Sequence, residues 1–102
     1  MKKILLACAV GFSTSMLAEK MQQAANKRGL EVTIEAQSEA EIIKSGLDFD
    51  VLLLGPQLGH AEGTFKSHYP DKPIATIDMM DYGMMNGEKV LDFAMKLLGG
   101  TK

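Results

Sequence analysis

A single cysteine, Cys8, ends an apolar run and opens a segment of small and hydroxyl-bearing residues. Gly11 allows backbone amides to point inward as an anion nest, and the hydroxyl residues at 13–15 can cap a following helix. The N-terminus of that helix attracts phosphate and raises the thiolate fraction of a nearby thiol. The pattern predicts that Cys8 is a nucleophile that accepts a phosphoryl group, and a structural cysteine at a strand end is the alternative. The predicted phosphate-binding residues are Ala9, Val10, Gly11, Phe12, Ser13, Thr14 and Ser15.

No lysine or arginine occurs between Lys3 and Lys20, and Thr14 stands six positions after Cys8. Cysteine phosphatases with a loop at this location place an arginine there, which clamps the phosphate and assists hydrolysis. Amides and hydroxyls could instead hold a phosphocysteine without driving water onto it. The residues therefore favour a relay over a hydrolase. A small phosphatase or arsenate-reductase-like enzyme and a non-catalytic anion-binding module stay open as alternatives.

Apolar runs and amphipathic segments alternate along the chain. Strands are predicted at 3–8, 31–36, 51–55 and 74–77, and helices at 14–28, 39–45, 59–68 and 87–98. This alternation predicts an α/β fold with a parallel sheet and helices on both faces. The first and third runs are continuous and belong at the centre of the sheet, whereas the second alternates and belongs at an edge. Ligands bind beyond the carboxyl ends of such strands, where Cys8 stands.

Composition limits the class of protein. The 102 residues suffice for one domain, predicted over 1–102, and the net charge of −2 with scattered basic residues excludes a nucleic-acid surface. One cysteine excludes an internal disulfide and a cysteine-rich zinc site, and Asp78 and Asp81 are interpreted as turn residues. No metal or cofactor is predicted. The apolar run before Cys8 is too short for a secretory signal or a membrane span, which predicts a cytoplasmic protein without membrane insertion.

The chain resembles the enzyme IIB component of the bacterial phosphoenolpyruvate-dependent sugar phosphotransferase system, in its lactose/cellobiose-type branch. The resemblance lies in residues 4–15, residues 50–57, and the pairs 82–83 and 86–87. It implies a four-stranded parallel sheet of order 2-1-3-4, similar in architecture to small cysteine phosphatases. It also implies that Cys8 takes a phosphoryl group from a phosphohistidine of a IIA partner. The resulting phosphocysteine would pass it to a cellobiose-, chitobiose- or lactose-like sugar carried by the membrane IIC partner.

Several further residues lie at predicted strand ends. Pro56 and Gln57 follow the third strand, and they are predicted, with Tyr82, to lie beside the site or a partner. The two histidines, at 60 and 68, are interpreted as solvated residues. Methionines at 79, 80, 84 and 85 either fill a core edge or form an adaptable binding surface. We expect a monomer that meets its partners transiently.

Overall fold

A computed structural model describes residues 2–8, 12–46 and 48–99, with the backbone alone at 8, 12–14 and 45. The strands are β1 (Lys2–Cys8), β2 (Val32–Ser38), β3 (Val51–Leu54) and β4 (Ile74–Thr76). The α-helices are α1 (Phe12–Lys27), α2 (Glu39–Ser45), α3 (Glu62–His68), α4 (Met79–Gly83) and α5 (Gly87–Leu98), and a 3-10 helix spans Pro56–Ala61. All strand pairs are parallel and the order is β2-β1-β3-β4. The predicted α/β class and strand order are confirmed.

The core lies on both faces of the sheet because side chains alternate along each strand. In β1, Ile4 and Leu6 pack under α1 and α5, whereas Leu5 and Ala7 pack on the opposite face with α2 and α3. All four side chains are fully buried. The central position of β1 and β3 and the edge position of β2 follow the prediction.

Two helices have the predicted bounds because polar caps define their ends. Ser38 accepts a hydrogen bond from the Glu41 amide at 3.1 Å, which starts α2, and Gly46 ends it with a φ of 61°. Asn86 accepts from the Lys89 amide at 3.2 Å and starts α5.

The predicted strand bounds differ from the structure by at most two residues. Three predictions about the helical segments are also wrong, and local chemistry explains each difference. Helix α1 begins at Phe12, so the hydroxyl residues 13–15 lie in its first turn and do not precede it as caps. The third helical segment begins at Pro56, because proline has a helical φ and needs no amide partner at a helix start. Asp78 accepts from the amides of Met80 and Asp81 and thereby caps α4, where only a turn was predicted.

Two contacts fix the position of α1, one with α5 and one with β2. A Cβ added at the buried Gly87 would lie 2.8 Å from the carbonyl carbon of Lys20, so α5 crosses α1 in backbone contact. At the outer edge of β2, the Gln22 side chain donates to the Val32 carbonyl at 3.0 Å and accepts from the Ile34 amide at 2.9 Å. Gln22 thus occupies part of an edge where another strand could pair.

Candidate functional site

The site is built at the carboxyl edge of the sheet. Cys8 ends β1 level with Ser38 of β2, and the preceding Ala7 is level with Leu54 of β3. In a sheet of order 2-1-3-4, the connections leave β1 and β3 in opposite directions, which opens a crevice between their carboxyl ends. The backbone of Cys8 therefore lies on one side of this crevice, and the segment after β3 lies on the other.

The N-terminus of α1 provides the electrostatics of the site. The first amides of a helix have no acceptor within the helix and carry partial positive charge. Helix α1 has no acidic residue in its first turn, whereas α2, α3, α4 and α5 each have at least one. The partial charge at α1 is therefore not offset by a carboxylate of its own first turn. This end of the helix follows β1 after three residues and favours a bound anion.

The predicted phosphate-binding residues fall into two groups. Ala9, Val10 and Gly11 lie outside the described residues. The backbone of Phe12, Ser13, Thr14 and Ser15 forms the first turn of α1, and the Ser15 side chain is exposed. The described part of the predicted loop is thus helical.

Gly55, Pro56 and Gln57 form the opposite wall of the crevice. The Gly55 amide donates to the Ala7 carbonyl at 3.0 Å, which holds this turn against the end of β1. Pro56 is half-buried, and Gln57 is exposed. The Gln57 side chain folds back over Gly55: a Cβ at position 55 would lie only 2.6 Å from Gln57 Oε1. Only glycine leaves room for this side-chain position.

Tyr82 meets Gln57 at the same edge of the sheet. Gln57 Nε2 donates to the Tyr82 hydroxyl at 3.5 Å, which is a long and therefore weak hydrogen bond. Tyr82 also packs against the core beneath α1 and α5 and lies 3.6 Å from the Cβ position of Gly55. Gln57 and Tyr82 thus both lie against Gly55, which is hydrogen-bonded to Ala7.

A cluster that was not predicted from the sequence lies at the end of β4. The hydroxyl of Thr76, at the end of β4, donates to Glu62 Oε1 at 2.6 Å, and Lys66 Nζ lies 2.9 Å from Glu62 Oε2. The hydrogen bond from Thr76, followed by that from Lys66, lowers the pKa of the Glu62 carboxyl. The spacing of Glu62 and Lys66 by four residues in a helix was the available signal. These contacts anchor the start of α3 to β4.

The remaining candidate side chains have other surroundings. His60 and His68 are exposed, and Asp78 is occupied as the cap of α4. Among the described residues, no group of three or more histidine, cysteine, aspartate or glutamate side chains could hold a metal ion. In the same part of the chain, no helix combines the length and the apolar character required to cross a membrane.

The sequence and the fold were compared with those of known proteins. A family model described as "PTS system, Lactose/Cellobiose specific IIB subunit" matches residues 3–93. The galactose-specific EIIB component of Lactococcus lactis subsp. cremoris is 45% identical, over 95% of this chain and 96% of that protein. The cellobiose-specific EIIB component of Lactococcus lactis subsp. lactis has the same identity and coverage. The solution structure of a cellobiose-specific IIB component from Borrelia burgdorferi has a TM-score of 0.78 at 37% identity, covering 99% of this chain and 94% of that one.

The family model and these relatives define the class, a phosphotransferase that carries a phosphoryl group between other components. The chain belongs to the lactose/cellobiose-specific IIB family of the sugar phosphotransferase system. Its role in phosphoryl transfer follows from that family, whose members work with IIA and IIC components and a sugar. The resemblance read from the sequence is therefore confirmed.

Proposed function

We propose that Cys8 is the residue of this chain that carries the phosphoryl group. The main support for this proposal is the position of Cys8 at the end of central strand β1, where three residues separate it from a helix whose first turn has no acidic residue. That helix end supplies partial positive charge where a phosphate would lie. Cys8 is also the one cysteine of the chain.

The two chemical steps conserve the phosphoryl group. In the first, the Cys8 thiolate attacks the phosphorus of a phosphohistidine on the IIA donor, an S–P bond forms, and the P–N bond breaks. The imidazole leaves and takes up a proton. In the second, a sugar hydroxyl attacks the phosphorus, the S–P bond breaks to return the thiolate, and the hydroxyl proton is released. Residues 9–15 would hold the phosphoryl oxygens with amides and hydroxyls in both steps.

Gln57 would bind the phosphoryl group from the opposite wall of the crevice. Its amide group lies beside Gly55, which is hydrogen-bonded to Ala7, and its Nε2 is directed to the Tyr82 hydroxyl. An amide N–H at this place can donate to a phosphoryl oxygen on Cys8, and Tyr82 can hold the amide in that orientation. Pro56 would set the turn that presents Gln57.

The proposed partners and sugar are those expected for a member of this family. The partners would be a IIA phosphodonor and a membrane IIC transporter, and the sugar would be a cellobiose-, chitobiose- or lactose-like disaccharide or a related sugar such as the galactose named for one relative. One phosphotransfer domain over residues 1–102 would act in the cytoplasm without a metal or cofactor. Gln22 on the outer edge of β2 supports a monomer, since it occupies groups through which a second copy could pair.

Intact mass tests the assignment of Cys8. The chain is incubated with phosphoenolpyruvate, the general phosphotransfer proteins and a lactose/cellobiose-type IIA protein. We expect a mass gain of one phosphoryl group, which is absent in Cys8→Ser and unchanged in His60→Gln and His68→Gln. A mass gain that persists in Cys8→Ser would refute the assignment, and turnover of a generic phosphate ester would support a phosphatase instead.

A second measurement tests the anion site around the thiol. Alkylation of Cys8 near neutral pH should be faster than that of a free thiol, and inorganic phosphate should slow it. Slow alkylation that phosphate does not change would indicate a structural cysteine.

A further inference from the structure

Exposed methionines flank the carboxyl edge of the sheet. Among the described side chains, the large apolar residues that are exposed are Met16, Ile43, Met79, Met80 and Met84. Met79, Met80 and Met84, here called the methionine surface, belong to α4 and its C-cap just after β4, and they are 74%, 69% and 70% exposed. Met16 lies on the other flank, in a groove between α1 and β2. Three of these five side chains thus belong to one short helix and its C-cap, which follow the carboxyl end of β4.

The methionine surface does not serve the core of the protein. The neighbouring Met85 packs against the core beneath α1 and α5, and so does Tyr82 of the same helix. Helix α4 is therefore anchored by its inner side chains, and it presents the three methionines outward. Exposed apolar side chains in such a cluster mark interaction sites, and methionine is enriched in protein interfaces.

The position of α4 relates the methionine surface to Cys8. Tyr82 lies against Gly55, and the Gly55 amide is bonded to Ala7, the residue before Cys8. A standard protein interface covers about 800 Å² on each partner, which corresponds to a disc of roughly 16 Å radius. A folded partner whose reactive group reaches Cys8 would cover α4 within such an area.

We propose that Met79, Met80 and Met84 form a docking surface for the IIA phosphodonor, an inference that rests on the proposed role of Cys8. The donor carries its phosphoryl group on a histidine side chain of a folded protein, so transfer brings two protein surfaces together around the reacting atoms. The encounter must form and dissociate in every cycle. Flexible thioether side chains suit such an interface, because they repack against a partner without a fixed shape of their own.

Binding is tested separately from phosphoryl transfer. The Cys8→Ser chain, labelled with ¹³C at the methionine methyl groups, is titrated with unphosphorylated IIA protein. We expect the signals of Met79, Met80 and Met84 to shift, while that of Met21, which is fully buried on the inner face of α1, stays in place. Shifts that follow the concentration of the chain itself would assign the surface to a second copy and overturn the proposal. Shifts seen only with vesicles that contain the IIC protein would also overturn it.

Kinetics gives the second readout. In the triple variant Met79→Gln, Met80→Gln, Met84→Gln, we expect kcat/KM for phosphorylation by IIA to fall at least about tenfold. Alkylation of Cys8 by iodoacetamide should keep its rate, which shows that the thiol is intact. Ile43→Gln, on the exposed side of α2, is the matched control and should not change kcat/KM.

The outcomes separate the docking surface from the function of Cys8. Unchanged kcat/KM in the triple variant would refute the docking surface, even if Cys8 is phosphorylated. Conversely, methionine shifts with IIA in a chain that gains no phosphoryl group on Cys8 would keep the docking surface and refute the role of Cys8.

Discussion

An alanine at position 55 would displace the side chain of Gln57 without changing its chemistry. The added Cβ would lie 2.6 Å from Gln57 Oε1, whereas ordinary contacts between carbon and oxygen begin at about 3.3 Å. The amide must therefore move by roughly 0.7 Å or more. Its bond to Tyr82 is already 3.5 Å long, so this movement would break it.

The same substitution should leave the fold intact. Gly55 has φ of −60° and ψ of 153°, a conformation that alanine adopts readily. The next nearest atoms, Ala7 O and Tyr82 Cε1, would both be at the normal contact distance of 3.6 Å. Loss of glycine flexibility in the unfolded chain can stabilise a protein by about 0.4–1 kcal/mol. We expect the free energy of unfolding of Gly55→Ala to stay within about 1 kcal/mol of the original.

Phosphoryl transfer should respond strongly if Gln57 donates to the phosphoryl group as proposed. A hydrogen bond to a charged group contributes about 1.5–3 kcal/mol, so its loss should slow transfer from IIA by about tenfold to a hundredfold. The assay is single-turnover phosphorylation followed by intact mass, with urea unfolding as the check of stability.

A double-mutant cycle identifies the cause. Gln57→Ala should lose as much rate as Gly55→Ala, and the two together should lose no more, because both remove the same contact. Wild-type transfer rates in both single variants would refute the role of Gln57. Additive losses would mean that Gly55 acts through the backbone of the crevice instead.

Three further changes test the contacts that hold the site in place. Gly87→Ala should destabilise the chain by about 1–3 kcal/mol in urea unfolding, because its Cβ would meet the backbone of α1, whereas Gly83→Ala, with no atom within 4 Å, should not. Glu62 has a lowered pKa in the folded chain, so its ionised form stabilises the fold above the unfolded pKa, and this is lost as pH falls through the folded pKa. The stability difference between the original chain and Glu62→Gln should therefore be largest at neutral pH and shrink in acid; a constant difference would contradict this. Gln22→Ala should accelerate hydrogen exchange of the Ile34 amide, which loses its acceptor.

The sequence predicted the fold closely where its signals are local. Continuous apolar runs at β1 and β3 indicate strands covered on both faces, and the helices predicted at 39–45 and 87–98 have the bounds of α2 and α5. The strand order came from the family resemblance, because hydrophobic periodicity does not specify which strands are neighbours. The start of α1 was placed two residues late, since serine and threonine are common both before a helix and within its first turn.

The place of the candidate site could be predicted in part, because the ends of the strands can be recognised in the sequence. Cys8 and Gln57 stand at strand ends in the sequence, and parallel strands bring such ends to one edge. The contact between Thr76 and Glu62 joins a strand to a helix that precedes it, and nothing in the spacing of these two residues signals it. No helix was predicted at 79–83, and the role of its methionines was left open, because an apolar stripe of helical period cannot be recognised in five residues.

The charge pattern at this edge accounts for a relay better than for a hydrolase. The N-terminus of α1 offers partial positive charge, which stabilises an anion by about 0.3–1 kcal/mol at exposed sites and up to about 2 kcal/mol when partly buried. A bidentate arginine would bind the phosphoryl group more strongly and also stabilise the charge that develops when water attacks. The chain has threonine at the position where cysteine phosphatases have that arginine. It has no lysine or arginine between Lys3 and Lys20. A carrier must release what it accepts, and the proposed anion site of dipoles and hydroxyls would hold the phosphoryl group without committing it to hydrolysis.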